Sequence, residues 1–279
     1  MSVFMAILLG IVQGVTEFLP VSSSGHLSIL QNLFKLQYSE ADHLFFDVLL
    51  HVGTLIAVIV TYRKDISDMF RQTSDFITGR GDGGKDDFGR LSPSVRLLIL
   101  IIIGTVPLLF VVPFHSRLEV LYGKLWFIGL ALLVTGGLLY AADRLIVGRK
   151  SEKTSRVADA FVVGLAQAIA VIPGLSRSGT TIAVGLSRGY KRSFAVRFSF
   201  LLSLPAVLGS LLVTFFDAVR AGINWKLIPV YLIGMAVAAV TGYFAIRLVK
   251  KLVDSNKFGK FAYYCWAIGA VALVASIFI

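Results

Sequence analysis

Apolar residues run through this chain in long stretches rather than alternating with polar ones. Six stretches, at about 44–62, 95–113, 125–145, 195–216, 227–249 and 261–279, approach or exceed the ~18–20 residues that carry a helix across a bilayer core. Two further stretches are interrupted. Residues 1–34 are broken by Pro20 and the polar run Ser22-Ser23-Ser24-Gly25-His26, and residues 157–189 by Pro173-Gly174 and Ser176-Arg177-Ser178-Gly179. Polar backbone outside a helix persists at membrane depth only where protein or a watery cavity surrounds it. The pattern predicts an all-α integral membrane protein with six transmembrane helices plus two re-entrant helical hairpins.

Charge separates this arrangement from one in which the interrupted stretches also cross. With six spans, 21 of the 27 Lys and Arg fall on one side and 5 on the other; with eight crossings they divide 14 to 12. The strong bias marks the rich side as cytoplasmic. Both termini are then expected outside, with the first hairpin opening outward and the second inward. An offset of 154 residues superposes Gly10 on Gly164, Gln13 on Gln167, Ser22 on Ser176, Ser24 on Ser178 and Gly25 on Gly179. The expected organisation is a single membrane domain made of an inverted-topology repeat, 1–150 and 151–279. Each half holds one hairpin and three spans, and the site lies where the broken segments meet.

Composition narrows the class. The chain of 279 residues is 56% hydrophobic and 15% charged, against about 25% charged for soluble domains. The net charge of +11 reads as an orientation signal, with no nucleic acid expected. Cys265 alone permits no internal disulfide. The first apolar stretch has no basic residue before it and contains Glu17, so it does not read as a signal peptide. Residues 79–90 read as a polar cytoplasmic linker, and His43 and His115 as solvated outer loops.

The candidate chemistry gathers at the two interruptions. Glu17 is a carboxylate within the membrane, where charge is expensive and signals function; Gln13 shares its helix face. Ser22–His26 supplies three hydroxyls, a glycine and an imidazole, the ingredients of an activated nucleophile. Arg177 at membrane depth calls for an anion, and guanidinium binds phosphate bidentately. The blander readings are an interhelical hydrogen bond for Gln13 or Glu17, helix caps for the serines and a buried Glu17–Arg177 pair. Asp47 and His51, one helical turn apart, are either orienting groups or a polar contact. The set suits phosphoryl chemistry on a lipid-borne substrate, with Mg²⁺ or Ca²⁺ as the fitting cation. Gly136-Gly137 reads as helix packing.

Gln13-Gly14-Val15-Thr16-Glu17-Phe18-Leu19-Pro20-Val21-Ser22-Ser23-Ser24-Gly25-His26 and Pro173-Gly174-Leu175-Ser176-Arg177-Ser178-Gly179 resemble the two signature motifs of the undecaprenyl-diphosphate phosphatases, the bacitracin-resistance family of membrane phosphatases. The resemblance runs over essentially the whole chain. It implies hydrolysis of undecaprenyl diphosphate to undecaprenyl phosphate, recycling the carrier for peptidoglycan in a bacterial plasma membrane. It also implies roles: Glu17 as metal ligand or base, Ser23 as nucleophile, His26 as acid/base and Arg177 as diphosphate clamp. Gln13, Ser22, Ser24, Ser176, Ser178 and Gly179 are the candidate substrate-binding residues. Ser23, His26 and a metal-bound water all stay open as the attacking group. The site is expected to open to the outer, periplasmic side, and a homodimer is among the assemblies considered. The rival readings are a phosphatidic-acid-type lipid phosphatase, weakened because no His follows Arg177, a flippase of the carrier lipid, and a structural subunit.

Overall fold

The apolar stretches of the sequence are helical, and what ends each helix decides how the chain is laid out. The structure is a computed structural model and describes residues 1–33, 40–79, 91–114, 118, 120–145, 148–222, 224–255 and 257–278. Its helices are α1 (Val3–Phe18), α2 (Ser23–Leu33), α3 (Glu40–Thr61), α4 (Arg63–Ile77), α5 (Pro93–Leu109), α6 (Leu125–Asp143), α7 (Val157–Ile169), α8 (Arg177–Ser187), α9 (Arg192–Ala221), α10 (Ile228–Asp254) and α11 (Lys260–Ala275). Lys150 and Tyr190 form one isolated bridge. The linker from 80 to 90 and His115 lie outside the described residues; His43 falls within α3 rather than in a loop.

The six-span expectation is corrected. Among the described residues four helical segments are long and apolar enough to cross a membrane: Leu44–Thr61, Leu125–Asp143, Arg192–Arg220 and Trp225–Asp254. These coincide with four of the six expected stretches and make this a multi-pass membrane protein. The other two stretches give the shorter helices α5 and α11, of 17 and 16 residues. Apolar composition runs on past the helix in both cases. Pro107 sits in the last turn of α5, whose chain then tightens into the 3-10 turn Val112–Phe114. Past Ala275 the last turn of the chain also tightens, with i to i+3 bonds from Ile277 and Phe278. The two re-entrant hairpins are likewise replaced by separate short helices, α1 with α2 and α7 with α8, and the inverted-repeat architecture built on those counts is withdrawn with them.

Small residues let the short helices lie close to the others. A Cβ added at Gly14 of α1 would meet Thr241 Oγ1 at 2.0 Å and Ala238 O at 2.5 Å on α10. One at Gly164 of α7 would meet Gly104 O of α5 at 2.3 Å, and one at Gly136 of α6 the Trp266 ring of α11 at 2.5 Å. Within a bilayer such close packing, rather than hydrophobic burial, holds helices together. Phe18 at the end of α1 meets Phe200 of α9 edge-on, 5.4 Å between centroids. α1 is thereby fixed against two of the spanning helices.

One end of the bundle is held by ion pairs. Asp159, fully buried at the start of α7, takes Lys150 Nζ at 2.7 Å and Arg188 Nη2 at 2.9 Å. Arg192 faces Asp143, and Arg197 pairs with Asp65 and Glu152. Burial by itself would raise the Asp159 carboxyl pKa. The Lys150 hydrogen bond, the Arg156 N–H, the Arg188 hydrogen bond and the Lys150 charge outweigh it and hold the carboxyl below its ordinary value. A depressed carboxyl pKa stabilises the fold in full above the unfolded-state value, and that contribution disappears as pH falls through the folded one.

Two outcomes follow. Gly14→Leu lowers the thermal midpoint in detergent, by an overpacking cost of about 1–3 kcal/mol, whereas Gly137→Leu, where an added Cβ meets nothing within 4 Å, leaves it unchanged. In acid titrations of thermal stability, wild type loses stability below the ordinary carboxylate range more steeply than Asp159→Asn, which is already less stable at pH 7.

Candidate active site

The site forms where two helices stop and restart. Leu19 leaves helical geometry with ψ 144°, and Pro20 follows. Ser22 then takes φ +67°, the left-handed conformation that only glycine adopts freely. This turn aims the Ser22 carbonyl back at the first residues of α2, where it accepts the His26 backbone N–H. Ser22 Oγ accepts the Gly25 N–H at 3.2 Å and meets Ser24 Oγ at 3.2 Å. The second break repeats the pattern: Ser176 Oγ accepts the Gly179 N–H at 3.1 Å and meets Ser178 Oγ at 3.2 Å. Ser22 and Ser176 are thus engaged as helix caps.

The two breaks are stitched together. Ser24 Oγ accepts the Gly174 N–H at 3.4 Å, and Ser178 Oγ donates to Leu19 O at 3.2 Å. Thr135 accepts the Ser176 N–H at 3.2 Å. Thr135 lies near the middle of the spanning helix α6, so the breaks lie near mid-height of the membrane segment.

The carboxylate is the hub. Glu17 is 8% exposed, in the last turn of α1. Its Oε1 takes the Arg177 guanidinium from the first turn of α8. Its Oε2 accepts Ser23 Oγ at 2.6 Å and Gln13 Nε2 at 3.2 Å. Of the three motif serines, Ser23 is the one whose hydroxyl points to the carboxylate. His51 of α3 is turned to its own helix, its Nδ1 bonding the Asp47 backbone carbonyl at 2.8 Å. His26 Nδ1 lies 2.8 Å from Ser22 O. A carbonyl only accepts, so Nδ1 carries the proton, and Nε2 holds the lone pair of the neutral ring.

The expected site residues Gln13, Glu17, Ser22, Ser23, Ser24, His26, Ser176, Arg177, Ser178 and Gly179 are therefore brought to the two facing breaks.

Comparison with known proteins identifies the family. A family model described as bacitracin resistance protein BacA matches residues 6–271. The chain belongs to the BacA family. It is 38% identical over 282 residues to an undecaprenyl-diphosphatase of Alkaliphilus metalliredigens, covering 99% of this chain and 100% of that relative. It is 40% identical to one of Methanobrevibacter smithii, covering 99% of each, and 41% identical to one of Syntrophotalea carbinolica, covering 99% and 100%. In this BacA-family chain the sequence pattern missed two contributors. Thr135 and Tyr264 sit in apolar helices whose runs give no sign that a hydroxyl reaches the breaks.

Removing one partner of a buried ion pair costs about 3–5 kcal/mol, while replacing both is far less costly. Arg177→Met therefore lowers the thermal midpoint of the detergent-solubilised protein strongly. Adding Glu17→Gln to it restores much of the loss, and additive losses would show that the pair carries no coupling.

Proposed function

We propose that the chain is a membrane phosphatase that hydrolyses undecaprenyl diphosphate to undecaprenyl phosphate and inorganic phosphate. It recycles the lipid carrier for peptidoglycan synthesis and confers resistance to bacitracin. The observation that carries the chemistry is Ser23 Oγ at 2.6 Å from Glu17 Oε2, with Arg177 on the other carboxylate oxygen. A nucleophile bonded to a base, with a cation beside it to take the phosphoryl charge, is the arrangement that phosphoryl transfer requires.

In this reading Arg177 exchanges Glu17 for the terminal phosphoryl group. Ser23 Oγ bonds to that phosphorus as its bond to the bridging oxygen breaks. The Ser23 proton passes to Glu17, and undecaprenyl phosphate leaves. Water then attacks the phosphorus as its bond to Ser23 Oγ breaks, giving a proton to His26 Nε2; Ser23 regains its proton from Glu17, phosphate departs, and His26 passes its proton to solvent. Gln13, Ser24, Ser178 and the first turn of α8, Gly179 included, surround the two breaks where the diphosphate would bind.

A divalent cation fits the donor set. Gln13 Oε1 is buried with no hydrogen-bond partner among the described residues, on the amide that touches Glu17. Gln13 and Glu17 would hold Mg²⁺ or Ca²⁺, with phosphate oxygens and waters completing the shell. When bound, it neutralises charge on the diphosphate.

Access from the outer face belongs to the same proposal. The bundle end that carries Arg188, Arg192, Arg197 and Lys250 is the cytoplasmic one by the positive-inside rule, and there Arg188, Arg192 and Arg197 pair with Asp159, Asp143 and Asp65. Transport of the carrier lipid is the second reading, drawn from broken helices that meet at mid-height.

The deciding assay is phosphate release from undecaprenyl diphosphate by purified protein, with Mg²⁺, Ca²⁺ or chelator. Wild type releases phosphate in either metal, and chelation removes the activity. Ser23→Ala and Arg177→Ala each lower kcat by about 10²–10⁴-fold. Wild-type protein that binds the lipid in vesicles and moves it between leaflets, without releasing phosphate, would replace the enzyme by the transporter.

A further inference from the structure

His26 is held at both ring nitrogens, and the second partner comes from the far end of the chain. Tyr264 of α11 places its hydroxyl 2.8 Å from His26 Nε2, and the two rings are stacked, 5.6 Å apart and within 5° of parallel. Since Nδ1 donates to Ser22 O, the neutral ring can only accept at Nε2, and the Tyr264 O–H is the donor. We propose that Tyr264 is a positioning residue for the phosphatase reaction: it fixes the plane of the His26 ring and keeps Nε2 as the atom that takes the proton. The inference rests on the reading of His26 as the proton acceptor.

The contact has the properties that this role needs. The Tyr264 backbone is anchored by its neighbours, since Cys265 Sγ donates to Pro20 O at 3.5 Å and Trp266 Nε1 to Leu133 O at 3.1 Å. Tyr264 is 44% exposed, and rotation about its C–O bond lets the hydroxyl serve as donor or acceptor. In the resting site the hydroxyl donates to Nε2, and it turns away as the attacking water brings its proton to that lone pair. Once Nε2 is protonated the hydroxyl turns and accepts from it, a charge-assisted bond that is stronger than the first. Loss of the hydroxyl therefore costs the imidazolium more than the imidazole. The charged groups on neighbouring elements are already engaged: Glu17 of α1 and Arg177 of α8 bond each other, and α6 presents Ile128 beside Gly25. On α11 itself Cys265 is bonded to Pro20, and Tyr263 lies against Tyr140 and Trp266.

The test is the pH profile of phosphate release from undecaprenyl diphosphate by full-length Tyr264→Phe, which keeps the ring and removes only the hydroxyl. The expected result is kcat lower by about 3–10-fold, the worth of one hydrogen bond. KM stays near wild type, and the acid limb moves to lower pH. In a His26→Ala background, Tyr264→Phe has no further effect, whereas a structural role would lower both backgrounds alike. A Tyr264→Phe profile that overlays wild type, or an equal fall in both backgrounds, overturns the inference while leaving the phosphatase intact. Full activity in His26→Ala alone would overturn the proton-acceptor reading itself, and this inference with it.

Discussion

The ion pair between Glu17 and Arg177 is the constraint on which the rest of the site depends. Each belongs to a different broken segment, 160 residues apart in sequence. Neither charge is tolerable alone at this depth, so the end of α1 and the start of α8 are drawn together. The serine contacts across the two breaks, Ser24 with Gly174 and Ser178 with Leu19, then lock the register. In the proposed mechanism a diphosphate is a fitting substrate for such a pair, because it would offer Arg177 a second anion and so release the carboxylate to serve Ser23.

The close helix packing serves the same end. Gly14 lies one turn before Glu17 and allows α1 to settle directly on α10. Gly164 does the same for α7 on α5. A side chain at either position would push the broken segment outward and pull the carboxylate or the guanidinium out of register. The ion pairs around Asp159, Asp143 and Asp65 hold together the helix ends at one side of the bundle. Packing and polarity are therefore different consequences of putting one charged pair near the middle of an apolar bundle.

Much of this site was legible in the sequence, because charge and hydroxyls inside apolar stretches are rare enough to be noticed. Glu17, Ser23, His26 and Arg177 stood out for that reason. The offset of 154 residues even picked out the two serine caps that the structure shows making matching hydrogen bonds. The architecture was less legible. Hydropathy reports where a chain is apolar, but not where its helix stops, so the runs at 95–113 and 261–279 suggested full spans where α5 and α11 are short. The same limit hid Tyr264 and Thr135, whose sequence neighbours are apolar and whose roles come from contacts 238 and 39 residues away.

The most direct measurement is to look for phosphate bound to Ser23 during turnover. Undecaprenyl diphosphate labelled in its terminal phosphate is mixed with wild type, His26→Ala and Ser23→Ala, quenched within milliseconds to seconds, and the protein is mapped by peptide. The account predicts label on the peptide carrying Ser23, accumulating most in His26→Ala, where the hydrolytic step is slowed, and absent from Ser23→Ala. Phosphate release at full rate by Ser23→Ala, with no labelled peptide in any variant, would contradict it and place the attack on water instead.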